Sequence, residues 1–156
     1  MSPIGNYSEY KKIRPAPHLK DLFRLIAQLG KLKKLVSLDL RGNRIFHIPN
    51  EIVELKNLEE LFLSNNELED LPTNIGQMEK LRLLELANNE LQDLPKEISQ
   101  LKNLKSLNLR WNKLETLTPS IGGLQNLEKL KLKGNPLPPS EFKKLKWLLP
   151  NVHIQF

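Results

Sequence analysis

Leucines recur along the chain with a fixed period of 23 residues. Leu35, Leu58, Leu81, Leu104 and Leu127 each begin the same pattern of apolar and polar positions, L-x-x-L-x-L-x-x-N-x-L. Within it, the alternating L-x-L predicts a short strand with one buried face, because successive side chains of a strand point to opposite sides. A unit repeated at a fixed period predicts an α/β solenoid, in which the strands of successive repeats form a parallel sheet.

An asparagine follows each predicted strand at the ninth position of the frame. An amide side chain there can bond backbone groups of its own turn and of the adjacent repeat, which the turn would otherwise leave unpaired. The sequence therefore predicts a structural ladder of Asn43, Asn66, Asn89, Asn112 and Asn135.

The second half of each repeat predicts the outer side of the solenoid. In the first three repeats a proline follows an apolar residue, as after Leu94, and stiffens the return segment. Apolar pairs such as Ile98 and Leu101, three residues apart, predict short helices or 3-10 turns. In the fourth repeat the proline is displaced by one position to Pro119, which predicts a deviating return segment.

The two ends of a solenoid must cover its terminal cores. Residues 18–34 predict an N-terminal helical cap built on a degenerate repeat, and residues 1–17 before it predict a loose arm. Residues 140–156 predict a C-terminal cap, which overlaps the last repeat. Between them, residues 35–139 hold five repeats, at 35–57, 58–80, 81–103, 104–126 and 127–149.

The C-terminal cap is predicted to contain a helix and an edge strand. Ser140 is a candidate N-cap for a helix that runs to Leu148, where Pro150 ends it. Val152 and Ile154 then alternate as a final strand. An open edge strand can pair with another chain, so we expect a monomer or a weak homodimer.

This frame resembles that of the leucine-rich-repeat family, and its LPxxIxxLxxL form resembles the 23-residue, Ras-suppressor-like class. The closing pattern LLPN-x-x-I-x-F at 148–156 resembles a spirochaetal subfamily made of consecutive 23-residue repeats. The resemblance covers roughly residues 22–156. It implies a horseshoe arc with the parallel sheet on its concave face, and a role in recognising proteins, including host proteins for a bacterial member.

Positions three, five and seven of the frame are predicted to project from the concave face, because the leucines at positions four and six point inward. Position eight lies at the rim. The ligand-binding residues that the sequence predicts on this surface are Asp39, Arg41, Glu60, Phe62, Leu83, Glu85, Asn108, Arg110, Trp111, Lys129, Lys131, Lys133 and His153.

Three of these residues are large and apolar at positions that the frame exposes, namely Phe62, Leu83 and Trp111. They predict contact with a partner, while packing of Phe62 and Leu83 on each other is the alternative. Charge also changes along the face, from Asp39, Glu60 and Glu85 to a run of three lysines, Lys129, Lys131 and Lys133. The lysines predict an anchor for an acidic segment, or else a solvated edge that resists aggregation.

Composition and charge exclude some classes of function and disfavour others. The chain has no cysteine, which excludes disulfides, thiolate metal sites and cysteine nucleophiles. Its net charge of +6 is divided into +6 over residues 1–34, −4 over 35–126 and +4 over 127–156, which disfavours a continuous nucleic-acid surface. The basic ends keep weak nucleic-acid or anionic-membrane binding open, through Lys31, Lys33, Lys34, Lys143, Lys144 and Lys146.

The sequence contains no catalytic motif. His18, His47 and His153 share neither a frame position nor a metal-ligand spacing, and no nucleophile–base grouping or phosphate loop is present. The acidic edge formed by Glu67, Glu69, Asp70, Glu90, Asp93 and Glu115 has no calcium-loop spacing. We therefore expect a protein without enzymatic activity, metal, cofactor or small-molecule substrate.

The sequence predicts a module that binds a protein or peptide on its concave face. An intracellular scaffold that acts through its basic ends or a homodimer edge is the alternative. No apolar run near the N-terminus is long enough for a signal peptide or a membrane span, which predicts a cytoplasmic location by default and leaves a secreted or surface-exposed one open.

Overall fold

The computed structural model describes residues 10–12 and 34–156, which form one sheet of seven parallel strands in chain order. This arrangement confirms the predicted solenoid with a parallel sheet. The strands are β1 (Tyr10–Lys12), β2 (Ser37–Asp39), β3 (Glu60–Phe62), β4 (Leu83–Glu85), β5 (Ser106–Asn108), β6 (Lys129–Lys131) and β7 (His153–Gln155).

The sheet register follows the leucine period. Leu38 pairs with Leu61, and Leu61 pairs with Leu84, so the fourth frame positions form a ladder through the core. The ladder continues through Leu107 and Leu130, and all five leucines are fully buried. Each repeat therefore buries its apolar face against its two neighbours, which explains how a narrow core can extend along the solenoid axis.

The return segments form 3-10 helices on the side opposite the sheet, at Asn50–Glu54, Thr73–Gln77, Lys96–Gln100 and Pro119–Gly123. Prolines precede the first three helices, where a fixed φ favours the extended N-cap conformation. The predicted deviation in the fourth repeat is wrong, since that helix occupies the equivalent residues. Thr118 is its N-cap, and the hydroxyl oxygen of Thr118 accepts from the Ser120 N–H at 3.4 Å.

Neighbouring 3-10 helices approach closely at Gly76. A Cβ atom at this position would lie 2.6 Å from the Glu97 carbonyl oxygen, which is part of the next helix. Because that contact is with backbone, it cannot be relieved by a rotamer change. Glycine at position 76 therefore permits the spacing between these two repeats.

The C-terminal cap consists of helix α1 (Pro139–Leu148) followed by β7. Leu145 and Leu149 are buried, and Phe142 packs partly against the core. The N-cap of α1 is Pro138 rather than the predicted Ser140, which lies inside the first turn. A proline near the start fits this position because the first N–H groups of a helix have no partner within it.

The N-terminal end differs from its prediction. Residues 10–12 form strand β1, which pairs in parallel with β2, so the prediction of a loose arm over residues 1–17 is wrong for these three residues. Strand β1 has no leucine pattern, and its three residues are exposed. It is held by backbone pairing with β2 and does not need a buried apolar face. The cap predicted for residues 18–34 lies outside the described residues except for Lys34.

Candidate functional site

The asparagines at position nine hold the turn that ends each strand. The Oδ1 atom of Asn66 accepts from the N–H groups of Asn43 at 2.9 Å and Ile45 at 3.1 Å. Its Nδ2 atom donates to the carbonyl oxygens of Leu40 at 3.0 Å and Leu63 at 2.8 Å. Each amide thus joins two repeats and fixes where the rim residues emerge. Equivalent amide contacts are made by Asn89, Asn112 and Asn135.

The rim position just before each asparagine has a left-handed backbone. The φ angles are 70° at Gly42, 60° at Asn65, 56° at Asn88, 55° at Trp111 and 86° at Gly134. Glycine and asparagine tolerate this conformation, whereas a bulky residue there costs about 1 kcal/mol or more. Trp111 is therefore the exception in this column.

A buried carboxylate organises the N-terminal part of the concave face. Asp39 has no exposed surface, which corrects the expectation that it projects into solvent. Its oxygens accept from Nε and Nη2 of Arg41 at 2.9 and 2.7 Å, and from the hydroxyl of Tyr10 at 3.3 Å. The same guanidinium lies 5.0 Å from the centre of the Phe62 ring. The Asp39 carboxylate therefore positions Arg41, which in turn covers one face of Phe62.

The hydrogen bonds from Arg41 lower the pKa of the Asp39 carboxyl group from 3.8 to about 2, against the effect of burial, which raises it. A carboxyl group with a depressed pKa stabilises the fold above its ordinary pKa, and this contribution is lost as the pH falls towards 2. We expect Asp39→Asn to lower the free energy of unfolding by about 2 kcal/mol at pH 7. Urea denaturation at several pH values measures this difference.

The difference between the wild type and Asp39→Asn is expected to shrink between pH 4 and pH 2, where the wild-type carboxylate becomes protonated. Glu60→Gln provides the matched control, because Glu60 lies on the same face, is half-buried and forms no ion pair among the described residues. A difference that is equal at pH 7 and pH 2 would show that Asp39 contributes through packing rather than charge.

The centre of the concave face joins acidic and basic repeats. Glu85 accepts a hydrogen bond from the Asn108 side chain at 2.5 Å and lies 3.8 Å from the Nζ atom of Lys131. Both members of the ion pair are mostly buried, with side chains 18% and 19% exposed. Asn108 itself is buried, so it supports Glu85 rather than facing a partner. This network orders the middle of the sheet surface.

The C-terminal part of the face is cationic. Arg110 donates from Nη2 to the side-chain oxygen of Gln155 at 2.8 Å, while its buried Nε has no acceptor among the described residues. The side chains of Lys129 and Lys133 form no ion pair in the described part of the chain. His153 is exposed on β7, whose Gln155 side chain lies 3.1 Å from its ring. Positive charge here is therefore only partly compensated.

Trp111 lies at the rim of this cationic region. The residue is 54% exposed, and its backbone N–H donates to the Lys133 carbonyl oxygen at 2.9 Å. A Cβ atom at Gly134 would overlap the indole ring, which shows that the ring rests directly on the Gly134 backbone. One side of the indole is thus packed, and the other is available to solvent.

The apolar pair predicted at the centre is less exposed than the frame suggests. Phe62 and Leu83 are both half-buried, on adjacent strands whose register pairs Glu60 with Leu83 and Phe62 with Glu85. Glu60 and Phe62 on β3 and Leu83 and Glu85 on β4 alternate with buried leucines and therefore lie on one face of the sheet. Tyr10 contacts this set and was missed, since nothing in the repeat frame marks the N-terminal strand. Gln155 was predicted on the concave side of the last strand beside His153, and it contacts Arg110.

The acidic edge does not assemble a metal site within the described residues, where no three His, Asp or Glu side chains lie close enough to share an ion. Glu90 forms an ion pair with Lys113, and Asp70 lies 3.1 Å from the His47 ring. No helix in the described part of the chain has the length and apolarity to cross a bilayer.

A cleft of about 350 Å³ lies away from the predicted residues. Its charged groups are largely paired: Arg82 lies 3.5 Å from Glu59, and Lys80 donates to the Asn57 side chain at 2.6 Å. Side chains that pair with one another in this way are more typical of contacts between neighbouring repeats than of a substrate pocket. The cleft is lined by Glu59, Lys80, Arg82, Asn103, Lys105 and Asn126.

Family models match two overlapping parts of the chain. One described as a leucine-rich repeat region matches residues 73–150, half of the chain, and one described as a leucine rich repeat matches residues 33–91. The chain belongs to the leucine-rich-repeat family. Members of this family are generally non-catalytic scaffolds for protein interaction, so membership supports an interaction module in general terms. The comparison with curated proteins gave no match.

Solved structures share the fold. A leucine-rich-repeat protein of Leptospira interrogans is 36% identical with a TM-score of 0.70, covering 83% of this chain and 39% of its own. An internalin of Listeria monocytogenes is 21% identical with a TM-score of 0.71, covering 94% and 46%. A chain from the Drosophila melanogaster SNF/U2A′ complex is 28% identical with a TM-score of 0.68, covering 77% and 72%. The chain therefore spans less than half of the two bacterial proteins.

Proposed function

We propose that this chain is a non-catalytic module that binds a protein or peptide across the concave face of its sheet. The observation that carries the proposal is the half-buried pair Phe62 and Leu83, placed between acidic side chains and two lysines, Lys129 on β6 and Lys133 after it, that form no ion pair with the described residues. An apolar centre with a charged surround is the arrangement found in protein interfaces. The Glu85–Lys131 ion pair keeps that centre ordered before binding.

Pre-organisation supports a binding role for Phe62 in particular. The Arg41 guanidinium lies over the ring, and the buried Asp39 carboxylate holds the guanidinium through two hydrogen bonds. A ring held in this way loses little conformational freedom when a partner packs against its remaining surface. Rigid aromatic side chains with this property are frequent among the residues that dominate binding energy.

The proposal is tested by recovering partners with wild-type protein and with Phe62→Glu, from lysates of the source organism and of candidate host cells. We expect proteins recovered by the wild type to fall at least tenfold with Phe62→Glu, because a carboxylate replaces the apolar centre beside Glu60 and Glu85. Circular dichroism confirms that the variant is folded.

Gln77→Glu is the matched control, since it adds the same charge on an exposed residue of the second 3-10 helix, on the opposite side of the solenoid. We expect this variant to recover the same proteins as the wild type. Equal recovery by all three proteins would place the binding surface elsewhere. The lysate that supplies the specific partner also distinguishes a host protein from a protein of the same organism.

A further inference from the structure

Trp111 combines a strained backbone with an exposed ring. The other four repeats have glycine or asparagine at the equivalent left-handed position, and these residues adopt it with little strain. The ring of Trp111 packs on Gly134, and more than half of the residue stays exposed. Asparagine can occupy this position without harm to the fold, as Asn65 and Asn88 show. The fold therefore does not require a tryptophan here, and a contact with another molecule would explain it.

The residue before Trp111 in its own repeat and the equivalent residue in the following repeat are basic. Arg110 precedes Trp111, and Lys133 precedes the glycine on which the indole rests. Arg110 is half-buried and forms no ion pair with the described residues, and Lys133 is exposed without an ion pair there. Cationic side chains without an acidic partner favour a carboxylate over a neutral acceptor.

We propose that Trp111, Arg110 and Lys133 form a subsite for an acidic protein segment that places an apolar side chain against the indole. This inference rests on the proposed binding function and names the chemistry of the partner. The apolar side chain packs on the free side of Trp111, and flanking carboxylates of the segment contact Arg110 and Lys133. Lys129 extends the positive region along the neighbouring strand β6.

The rest of the concave face favours a protein segment over a uniform polyanion. Glu60 and Glu85 lie on β3 and β4, in the path of any ligand that continues across the sheet from the lysines. A nucleic acid carries a phosphate at every step and would be repelled there. A peptide can change its charge from one residue to the next, and so can match both halves of the face.

The experiment is a selection from a random twelve-residue peptide library on the wild-type protein, with counter-selection on Trp111→Asn. We expect the enriched peptides to contain an excess of Asp and Glu around an apolar residue, and to bind Trp111→Asn at least tenfold more weakly. Asparagine is the appropriate replacement because Asn88 has the same backbone conformation in the preceding repeat. Enriched peptides without excess negative charge, or no enrichment over Trp111→Asn, would overturn the proposal.

Direct contact is measured by fluorescence in a Trp147→Phe background, which leaves Trp111 as the single tryptophan. Trp147 is 80% exposed on α1, so its replacement is expected to leave peptide affinity unchanged. A selected peptide should shift the Trp111 emission to shorter wavelength as the ring loses water. Unchanged emission at saturating peptide would place the binding elsewhere.

One further variant and one further ligand separate the competing explanations. Lys133→Glu should weaken the selected acidic peptides at least tenfold, and no loss would contradict the charge assignment. A single-stranded oligonucleotide of equal charge should bind more weakly than the selected peptide at 150 mM salt, and equal or tighter binding would identify a general polyanion surface instead. If peptides bind Trp111→Asn normally but are lost with Phe62→Glu, this inference fails while the concave-face proposal stands; if neither variant changes binding, both fail.

Discussion

Asn89→Ala is expected to lower the free energy of unfolding by about 3 kcal/mol, because the amide satisfies buried backbone groups in two repeats. Its Oδ1 accepts from the Leu68 N–H at 3.0 Å, and its Nδ2 donates to the carbonyl oxygens of Leu63 and Leu86 at 3.0 Å each. Alanine would leave these three groups without their partner in a region that excludes water. Urea denaturation followed by circular dichroism measures the change.

Burial, rather than the number of hydrogen bonds, is expected to set the size of this effect. Asn135 makes the same three contacts in the last repeat, with Leu114, Leu109 and Leu132, but it is only half-buried. Water can replace part of its bonding, so Asn135→Ala should cost about half as much as Asn89→Ala.

The matched control for Asn89→Ala is Gln92→Ala, three residues away in the same repeat. Gln92 is exposed and makes no side-chain hydrogen bond with the described residues, so we expect a change below about 0.5 kcal/mol. If Asn89→Ala is as mild as this control, the ladder is not what holds the turns together.

The repeated part of the fold could be predicted from sequence because one physical requirement is imposed five times. Each repeat needs an inward L-x-L and an amide to close its turn, so Leu38 and Asn43 have counterparts in every later repeat. Repetition removes the ambiguity that a short apolar run has on its own. The 23-residue, Ras-suppressor-like class stays a prediction.

The N-terminal strand could not be predicted from the repeat pattern. Residues 10–12 contain no buried side chain, so hydrophobic periodicity carries no information about β1. Its position depends on backbone pairing with β2 and on the hydroxyl of Tyr10 at the Asp39 carboxylate. A contact between residues 29 positions apart and outside the repeat period leaves no local signal in the sequence.

The exposure of side chains on the concave face was predicted only in part. Burial on β3, β4 and β6 alternates as the frame predicts, but the frame does not show that Arg41 folds back over Phe62 or that Asn108 is buried. Side-chain length and charge decide those contacts, and both vary freely between repeats. The sequence marks Trp111 by its size, but only the structure shows that its backbone is left-handed.

Leu107→Ala is expected to be the most destabilising of these substitutions, at about 4 kcal/mol. Leu107 is fully buried on β5, and its strand pairs with β4 on one side and β6 on the other. Truncation removes buried carbon atoms and leaves a cavity that repeats on both sides line, so neither neighbour can close it alone. Equilibrium denaturation gives the change, provided that unfolding stays two-state.

The adjacent residue provides the control for the direction of the side chain. Ser106 precedes Leu107 on the same strand and points to the opposite face of the sheet, where it is half-buried. Ser106→Ala is therefore expected to change the free energy of unfolding by less than about 1 kcal/mol. Comparable losses at both positions would contradict the inward and outward alternation on which the concave-face assignment of Phe62, Leu83 and the β6 lysines depends.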